Sequence, residues 1–242
     1  MSEPSGPIRT LGILGAGRVG ATLARKAVEI GYRVLIAASG DPDAIAMMIE
    51  IIAPGAEPRL AADVIPEADA VVLAVPFAKH ESLPLNRLGG KLVIDAVNYW
   101  APSDGEIPEV AGSELGTSEL IQAKLPPGTR LVKALNTVGY HELDLDARPK
   151  GAPDRKAVAV AGDDREAVRA VSHLIDDLGF DPVDAGGLAN GRALEPGTSV
   201  FGTGLDAEST ADYLRGNLPG AARACPLPQR GTEFELGPGL QR

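Results

Sequence analysis

The stretch Leu11-Gly12-Ile13-Leu14-Gly15-Ala16-Gly17-Arg18-Val19-Gly20 decides the fold of this chain. An apolar run ends in the spacing G-x-G-x-x-G, and apolar residues at helical spacing follow directly after it. A strand, these glycines and a helix, in that order, are the fingerprint of a dinucleotide-binding turn. The alternative is a glycine-rich turn without a ligand, but the second strand pattern that follows favours the nucleotide site.

Each glycine of this loop has a separate predicted task. Gly15 allows the tight turn, Gly17 lets the backbone approach a pyrophosphate, and Gly20 lets the helix pack close to the strand. The helix N-terminus then offers N–H groups and the positive end of its dipole to the phosphates. We therefore expect cofactor contacts from the whole loop, which consists of Gly15, Ala16, Gly17, Arg18, Val19 and Gly20.

The composition excludes several classes of protein. The 242 residues are 44% hydrophobic and carry a formal net charge of −10, whereas a nucleic-acid binder needs a basic face. The single cysteine, Cys225, cannot form an internal disulfide, and no spacing typical of metal ligands is present. No signal peptide or membrane-spanning run is visible. We expect a cytoplasmic protein with a small-molecule substrate and no nucleic-acid, membrane or metal partner; a homodimer is left open.

Strand and helix patterns alternate along the first three quarters of the chain. This alternation predicts an α/β fold, a doubly wound and mostly parallel sheet of the NAD(P)-binding Rossmann type with a short C-terminal appendage. Asp163 is the expected N-cap of the helix that follows it, with Glu166 completing a capping box. The predicted strands are Leu11–Leu14, Tyr32–Ala38, Pro58–Ala61, Ala70–Val75, Lys91–Ala96, Arg130–Ala134, Lys156–Ala161 and Asp181–Asp184.

The same pattern divides the chain into three parts. Residues 8–185 form the predicted Rossmann domain. Residues 186–218 form a short appendage that completes the substrate pocket, because only Ala207–Arg215 in this Gly- and Pro-rich region has a helical pattern. Residues 219–242 are expected to be a mobile or draped tail.

Ligands of open parallel sheets bind beyond the carboxyl ends of the strands. Small, polar and aromatic residues collect at these predicted ends, whereas the strand interiors are aliphatic, and this asymmetry predicts a site. The residues delivered there are Ala38 and Ser39 from the second strand, Val75, Pro76, Phe77 and His80 from the fourth, Asn98 and Tyr99 from the fifth, and Asn136, Thr137, Tyr140 and His141 from the sixth.

The end of the second strand distinguishes the two nicotinamide cofactors, because a carboxylate there binds the ribose 2′-hydroxyl and a basic residue accepts a 2′-phosphate. The chain reads Ala38-Ser39-Gly40-Asp41, with no acidic residue at the strand end, and Asp41 is expected to cap the next helix. Ser39 and Arg18 are both available to a 2′-phosphate. The prediction is therefore NADP, with NAD as the alternative.

Four segments resemble the reductases that move hydride between NADP and the deazaflavin coenzyme F-420, within the wider Rossmann group that contains pyrroline-5-carboxylate reductase. They are Gly12–Gly20, Val72–Pro76, Val132–Thr137 and Gly187–Glu195. The resemblance implies NADP bound by the glycine loop with Ala38 and Ser39. It also implies a nicotinamide and substrate near Val75, Pro76, Asn98, Asn136 and the segment 188–192, with Asn190 and Arg192 in the pocket. Family members usually have Ser-Arg where this chain has Ser39-Gly40.

The side chains leave several roles open, and no catalytic residue is assigned. His80 either contacts the nicotinamide side or is a partly exposed helix histidine, and His141 is placed for substrate. Tyr99-Trp100 either stacks on a flat ring or packs its loop against the sheet. Arg192 either binds an anionic group or caps its own loop, whereas Asp95 is expected to be structural.

Three functions remain compatible with the sequence. The first is an NAD(P)H-dependent oxidoreductase that transfers hydride between nicotinamide and deazaflavin, which needs no protein nucleophile. The second is a reductase of the same fold that acts on a small carbonyl or imine. The third is a dinucleotide-binding protein without turnover.

Overall fold

The computed structural model describes residues 6–218, and an eight-stranded sheet runs through its centre in the order β3-β2-β1-β4-β5-β6-β7-β8. All neighbouring strands pair in parallel except β6 and β7, which are antiparallel. The strands are β1 (Thr10–Leu14), β2 (Arg33–Ala37), β3 (Glu57–Pro58), β4 (Ala70–Leu73), β5 (Leu92–Asp95), β6 (Arg130–Lys133), β7 (Ala157–Gly162) and β8 (Asp181–Gly186).

Helices cover both faces of the sheet. They are α1 (Arg18–Glu29), α2 (Asp43–Ile52), α3 (Ala61–Glu67), α4 (Ala101–Asp104), α5 (Pro108–Ala111), α6 (Thr117–Gln122), α7 (Tyr140–Leu145), α8 (Arg165–Asp177) and α9 (Ala207–Asn217). Three 3-10 helices add Phe77–Ser82, Leu85–Arg87 and Leu188–Leu194. No helix between residues 6 and 218 is both long enough and apolar enough to cross a membrane.

The two faces have separate apolar cores, because successive strand residues point to opposite sides. Ile13 and Val72 belong to the core under α1, α2, α7 and α8. Leu14 and Val71, their neighbours in sequence, belong to the core under α3, α6 and the 3-10 helix Phe77–Ser82. The predicted doubly wound, mostly parallel sheet is thereby confirmed.

The segment after β8 adds a third, smaller core. Leu194, Val200 and Leu214 pack against Ala159 and Ala161 of β7, and α9 lies along β8. The division of the chain at residue 185 stays a prediction. The predicted tail, 219–242, lies outside the described residues.

Several predicted elements are corrected by the structure. The predicted third strand is present, but its bounds, Pro58–Ala61, are wrong, because β3 is Glu57–Pro58 and Ala61 already begins α3. The short helices α4, α5, α6 and α7 have no counterpart among the predicted elements, since four to six residues are too few to display a helical period.

The predicted N-cap of α8 is also wrong. The cap is Asp164, whose carboxylate accepts a hydrogen bond from Ala167 N at 2.8 Å. Glu166 is then one position too early for a capping box. Asp163 accepts instead from Leu188 N at 2.9 Å, and so it ties the start of α8 to the segment after β8.

This cap makes a testable prediction. The variant Asp164→Ala should lower the free energy of unfolding by about 1 kcal/mol, because an N–H of the first turn of α8 loses its acceptor. Thermal or urea unfolding followed by circular dichroism measures the change. The matched control, Glu166→Ala, should stay within about 0.5 kcal/mol of wild type because that side chain is exposed. A larger loss of unfolding free energy in Glu166→Ala would instead support the capping box predicted from the sequence.

Candidate functional site

The glycine loop joins β1, α1 and β4 at very short range. Gly15 has φ +127° and donates from its N–H to Ala37 O at 2.8 Å. A Cβ atom there would lie 2.2 Å from Ala74 O, and one at Gly20 would lie 1.8 Å from Gly15 O. Side chains are therefore excluded at both positions, and the backbone of α1 lies directly against β1.

The middle of the loop is open. Gly17 is exposed, and a Cβ atom there would meet nothing within 4 Å. Gly17 is also the N-cap of α1, where no side chain caps the helix and the first turn holds no acidic residue. Ala16 and Val19 are half-buried beside it. This arrangement leaves the positive end of the α1 dipole facing a surface that can accept an anion.

The end of β2 carries no carboxylate that faces a ligand. Ala38 is half-buried, and Ser39 and Gly40 are exposed. Asp41 accepts a hydrogen bond from Asp43 N at 3.0 Å, but the N-cap of α2 is Pro42, so Asp41 lies one residue before the capping position expected for it. The polar group that this strand end offers to a ribose is therefore the Ser39 hydroxyl.

The side chain of Arg18 lies against Tyr140, the first residue of α7. Its guanidinium Nη1 is 3.4 Å from Tyr140 Oη, and its Cζ is 5.6 Å from the centre of the Tyr140 ring. The Tyr140 ring in turn lies 4.0 Å from the ring of His141. Two of the predicted site residues, Arg18 and His141, thus both lie against Tyr140 at the start of α7.

The start of α7 is held in place by charged groups. Gly139 donates from its N–H to Glu142 Oε2 at 2.8 Å, which is the one bond of a capping box that a glycine N-cap can form. Lys156, on the neighbouring part of the sheet, bonds to Asp146 at 2.6 Å and to Glu142 at 3.3 Å. The hydrogen bond to Asp146 raises the pKa of Lys156 above its ordinary value, with burial opposing it.

Arg59 is a basic residue that the sequence analysis missed. It follows β3 directly, and its N–H donates to Ile36 O at 2.9 Å, next to the last residue of β2. Its side chain is 44% exposed and forms an ion pair with Glu57. The sequence alone did not indicate that Arg59 lies near the end of β2. The ends of β2 and β3 are about twenty residues apart in sequence, and they become neighbours only when the two strands pair.

The residues after β4 form a short 3-10 helix. Val75 is half-buried, Pro76 is exposed, and Phe77 is buried against His80 and Tyr99. His80 is only 3% exposed, so it is not the partly exposed histidine that was the alternative. Its Nδ1 lies 2.6 Å from Phe77 O, which makes Nδ1 the protonated nitrogen. Among residues 6–218, its buried Nε2 has no hydrogen-bond partner.

The exits of β5 and β6 are joined by two amides. Asn98 Nδ2 donates to Asn136 O at 2.7 Å, and Asn136 Nδ2 donates to Asn98 Oδ1 at 3.2 Å and to Leu194 O at 2.7 Å. The buried Asn136 Oδ1 has no partner within residues 6–218. Leu135 has φ +62°, a conformation that costs energy for a side chain of this size. Strained residues of this kind collect at functional sites.

The loop after Asn98 is tied to the exit of β4. Asp104 accepts from Trp100 N at 2.8 Å and from Ala78 N at 3.1 Å. Tyr99 donates from its hydroxyl to Gly105 O at 2.9 Å. Trp100 remains 52% exposed, so Tyr99 packs the loop while much of the Trp100 side chain stays open to solvent.

The remaining predicted pocket residues make other contacts. Thr137 is buried, and its carbonyl accepts from Gly202 N at 3.1 Å. Asn190 donates to Ala185 O at 2.6 Å. Arg192 donates to Glu114 O at 2.6 Å, so it bonds to the distant loop before α6 and not to the loop that precedes it in sequence. The segment 188–194 nevertheless reaches the amide pair through Leu194 O.

Comparison with known proteins agrees with this geometry. Residues 10–99 match the family model described as NADP oxidoreductase, coenzyme F420-dependent. The solved structure of a candidate F420-dependent NADP-reductase from Arthrobacter sp. FB24 has 27% identity and a TM-score of 0.65, covering 77% of this chain and 88% of that one.

Of two other similar proteins, the first is much longer than this chain and the second has a much lower sequence identity. Metalloreductase STEAP3 of Rattus norvegicus is 28% identical over 188 residues, which are 76% of this chain but only 35% of that protein. The fold is shared with 1-pyrroline-5-carboxylate reductase from Streptococcus pyogenes, at 14% identity and a TM-score of 0.50 over 71% of this chain and 56% of that one.

These matches confirm the resemblance predicted from the four sequence segments. The matched region contains the glycine loop, the end of β2 and the exits of β4 and β5, up to Tyr99. Residues 10–99 of this chain are therefore similar to the family of coenzyme F420-dependent NADP oxidoreductases.

Proposed function

We propose that this chain binds NADP(H) along the carboxyl edge of its parallel strands and transfers hydride between the nicotinamide and a deazaflavin coenzyme. The observation that carries the proposal is the open surface at Gly17, set between two glycines that are closed by packing. The uncapped N-terminus of α1 suits a pyrophosphate at this point. The similarity of residues 10–99 to the NADP oxidoreductase family supports the choice of NADP.

The two halves of the cofactor then lie on opposite sides of the glycine loop. The adenosine half extends over the ends of β2 and β3, where Ser39 and Arg59 lie. The nicotinamide half extends over the exits of β4, β5 and β6, near Pro76 and the Asn98–Asn136 pair. This orientation follows the general rule that ligands bind where the strand order reverses, which here is between β1 and β4.

The chemistry requires position more than reactive side chains. NADPH, when bound, supplies the hydride, and the protein has to hold two flat rings face to face while excluding water. The amides of Asn98 and Asn136 are fixed by mutual hydrogen bonds and are suited to orienting a carboxamide. Trp100 offers an exposed ring face at the same edge, which suits stacking on a planar acceptor.

The second candidate is reduction of a small carbonyl or imine at the same site. The observation that favours it is the net charge of −10, because a deazaflavin coenzyme carries a phosphate and an acidic tail. The two candidates share the NADP site and differ only in the acceptor. Binding of the dinucleotide without turnover is a third outcome of the experiments below.

The glycine loop is tested by Gly17→Val. A branched side chain there should block the approach of phosphate and lower NADPH affinity at least about tenfold, which corresponds to about 1.4 kcal/mol. Titration of NADPH fluorescence measures the dissociation constant. Gly112→Val is the matched control, because Gly112 is also exposed and a Cβ atom there would meet only Pro108 O at 3.6 Å. Unchanged affinity in folded Gly17→Val would contradict the proposed site.

The 2′-phosphate contact is tested by comparing two arginines. Arg59→Ala should weaken NADPH binding by about tenfold and leave NADH binding unchanged, because only NADPH carries the 2′-phosphate. Arg18→Ala should weaken both cofactors by the same factor, since Arg18 follows Gly17 in the loop proposed to bind the pyrophosphate that both cofactors carry. Calorimetry with both cofactors gives the four ratios. If Arg18→Ala loses affinity for NADPH alone, Arg18 and not Arg59 is the residue that contacts the 2′-phosphate. Tighter binding of NADH than of NADPH by wild type would refute the NADP preference.

The acceptor is tested with the single tryptophan of the chain. Oxidised coenzyme F-420, added with NADPH, should quench Trp100 emission while absorbance records its reduction. Trp100→Phe removes the emission and should raise the KM for the acceptor, since a smaller ring stacks less. If the deazaflavin is inert and a small imine or ketone is reduced, the second candidate is correct. If NADPH binds and no acceptor reacts, the chain binds dinucleotide without turnover.

A further inference from the structure

A lysine and an aspartate are buried together beneath the site. Lys133 and Asp95 are both 0% exposed, and they are direct neighbours in the pairing of β6 with β5. The Lys133 ammonium lies 3.4 Å from Asp95 Oδ2. Charged side chains are almost never fully buried unless they are paired, because removing each from water is costly. An apolar pair of similar volume would fill the same space without that cost.

The pair holds one residue from both sides. Val97 N–H donates to Asp95 Oδ1 at 2.9 Å, and Val97 O accepts from Lys133 Nζ at 3.2 Å. Both backbone polar groups of Val97 are therefore bound by the buried charges. Val97 directly precedes Asn98, so the ion pair determines where the first amide of the site stands.

The same charges reach two further segments. Lys133 Nζ lies 3.4 Å from Thr117 Oγ1, and Asp95 Oδ2 accepts from Ser118 Oγ at 2.6 Å, both at the start of α6. With these bonds the ammonium uses all three of its donors. A Cβ atom at Gly191 would lie 2.9 Å from Lys133 Cδ, so the segment 188–194 lies against the lysine stem.

Glu195 closes the connection to the second amide. Its carboxylate accepts from Thr117 N at 2.6 Å and from Thr117 Oγ1 at 2.8 Å. The preceding residue, Leu194, supplies the carbonyl to which Asn136 Nδ2 donates. Asn136 itself stands three residues after Lys133. Four segments that are far apart in sequence are thus held around one buried ion pair.

We propose that Lys133 and Asp95 are positioning residues for the nicotinamide half of the cofactor site, acting by fixing the Asn98 and Asn136 amides through Val97, Thr117 and Glu195. The inference rests on the proposed function, because it concerns the same NADP site. The adenosine half is bound by the glycine loop and the ends of β2 and β3, to which the pair makes no hydrogen bond. Removal of the pair should therefore weaken binding of the nicotinamide half of the cofactor and leave binding of the adenosine half unchanged.

The test compares the whole cofactor with a fragment. NADP⁺ occupies both halves of the site, whereas 2′,5′-ADP carries only the adenosine half and its phosphates. In Lys133→Met/Asp95→Asn, which avoids leaving one charge buried alone, the affinity for NADP⁺ should fall about tenfold while that for 2′,5′-ADP stays within about twofold. Calorimetry measures both constants. Equal losses for the two ligands, or no loss for either, would overturn the proposal.

A milder variant keeps the test decisive if the double variant does not fold. Thr117→Val retains the shape of the side chain and removes only the hydroxyl that joins Lys133 to Glu195. Its NADP⁺ affinity should fall by about two- to fivefold, the value of one hydrogen bond, again with the fragment unaffected. An unchanged ratio of the two constants in folded Thr117→Val would overturn the proposal.

Lys91→Met is the matched control. Lys91 precedes β5 at its opposite end and donates to Pro66 O at 3.1 Å and Ala68 O at 3.0 Å. Its removal should lower thermal stability and leave the ratio of the two dissociation constants as in wild type. If wild type binds neither NADP⁺ nor 2′,5′-ADP, the proposed function itself fails. If wild type binds both ligands but the variants do not lose affinity for NADP⁺ alone, only the role of the ion pair fails.

Discussion

The close approach of α1 to β1 and β4 is the constraint on which the rest of the site depends. Gly20 leaves no room for a side chain beside Gly15 O, and Gly15 leaves none beside Ala74 O. Because α1 is held this near to the sheet, its N-terminus lies over the end of β1 with its N–H groups directed outward. A wider spacing would move the helix dipole away from the strand ends, and the adjoining exits of β2, β4 and β5 would no longer face one common surface.

A second constraint is the reversal of direction between β6 and β7. Because β7 is antiparallel to β6 and β8 is parallel to β7, β8 ends beside Ala161, whose other neighbour is Lys133. The chain then returns through the segment Leu188–Leu194 to the amide of Asn136. The segment 188–194 therefore lies against the edge formed by the parallel strands. The buried ion pair lies where this returning segment crosses the sheet, which explains why its hydrogen bonds reach so many parts of the chain.

The site could be predicted only where its signal is local in sequence. The glycine loop is one continuous segment, so its spacing predicts both the turn and the open position at Gly17. Arg18 was placed correctly in the loop, but its contact with Tyr140 depends on how α1 packs on α7. Arg59 and Lys133 could not be recognised from the sequence as residues near the site. Arg59 follows a two-residue strand, and Lys133 resembles an ordinary charged residue at the end of a strand. The burial of His80 likewise depends on Phe77 and the surrounding core.

The sequence by itself determined the fold class, the order of the strands along the chain and the position of the dinucleotide loop. Hydrophobic periodicity and glycine spacing act over a few residues, so they can be read without knowing what lies across the sheet. Only the tertiary structure decided that Asp164 rather than Asp163 caps α8, that Arg59 lies beside the end of β2, and that Lys133 is buried against Asp95. The physical reason is that burial and charge pairing depend on strand register and helix packing, which bring together residues far apart in sequence.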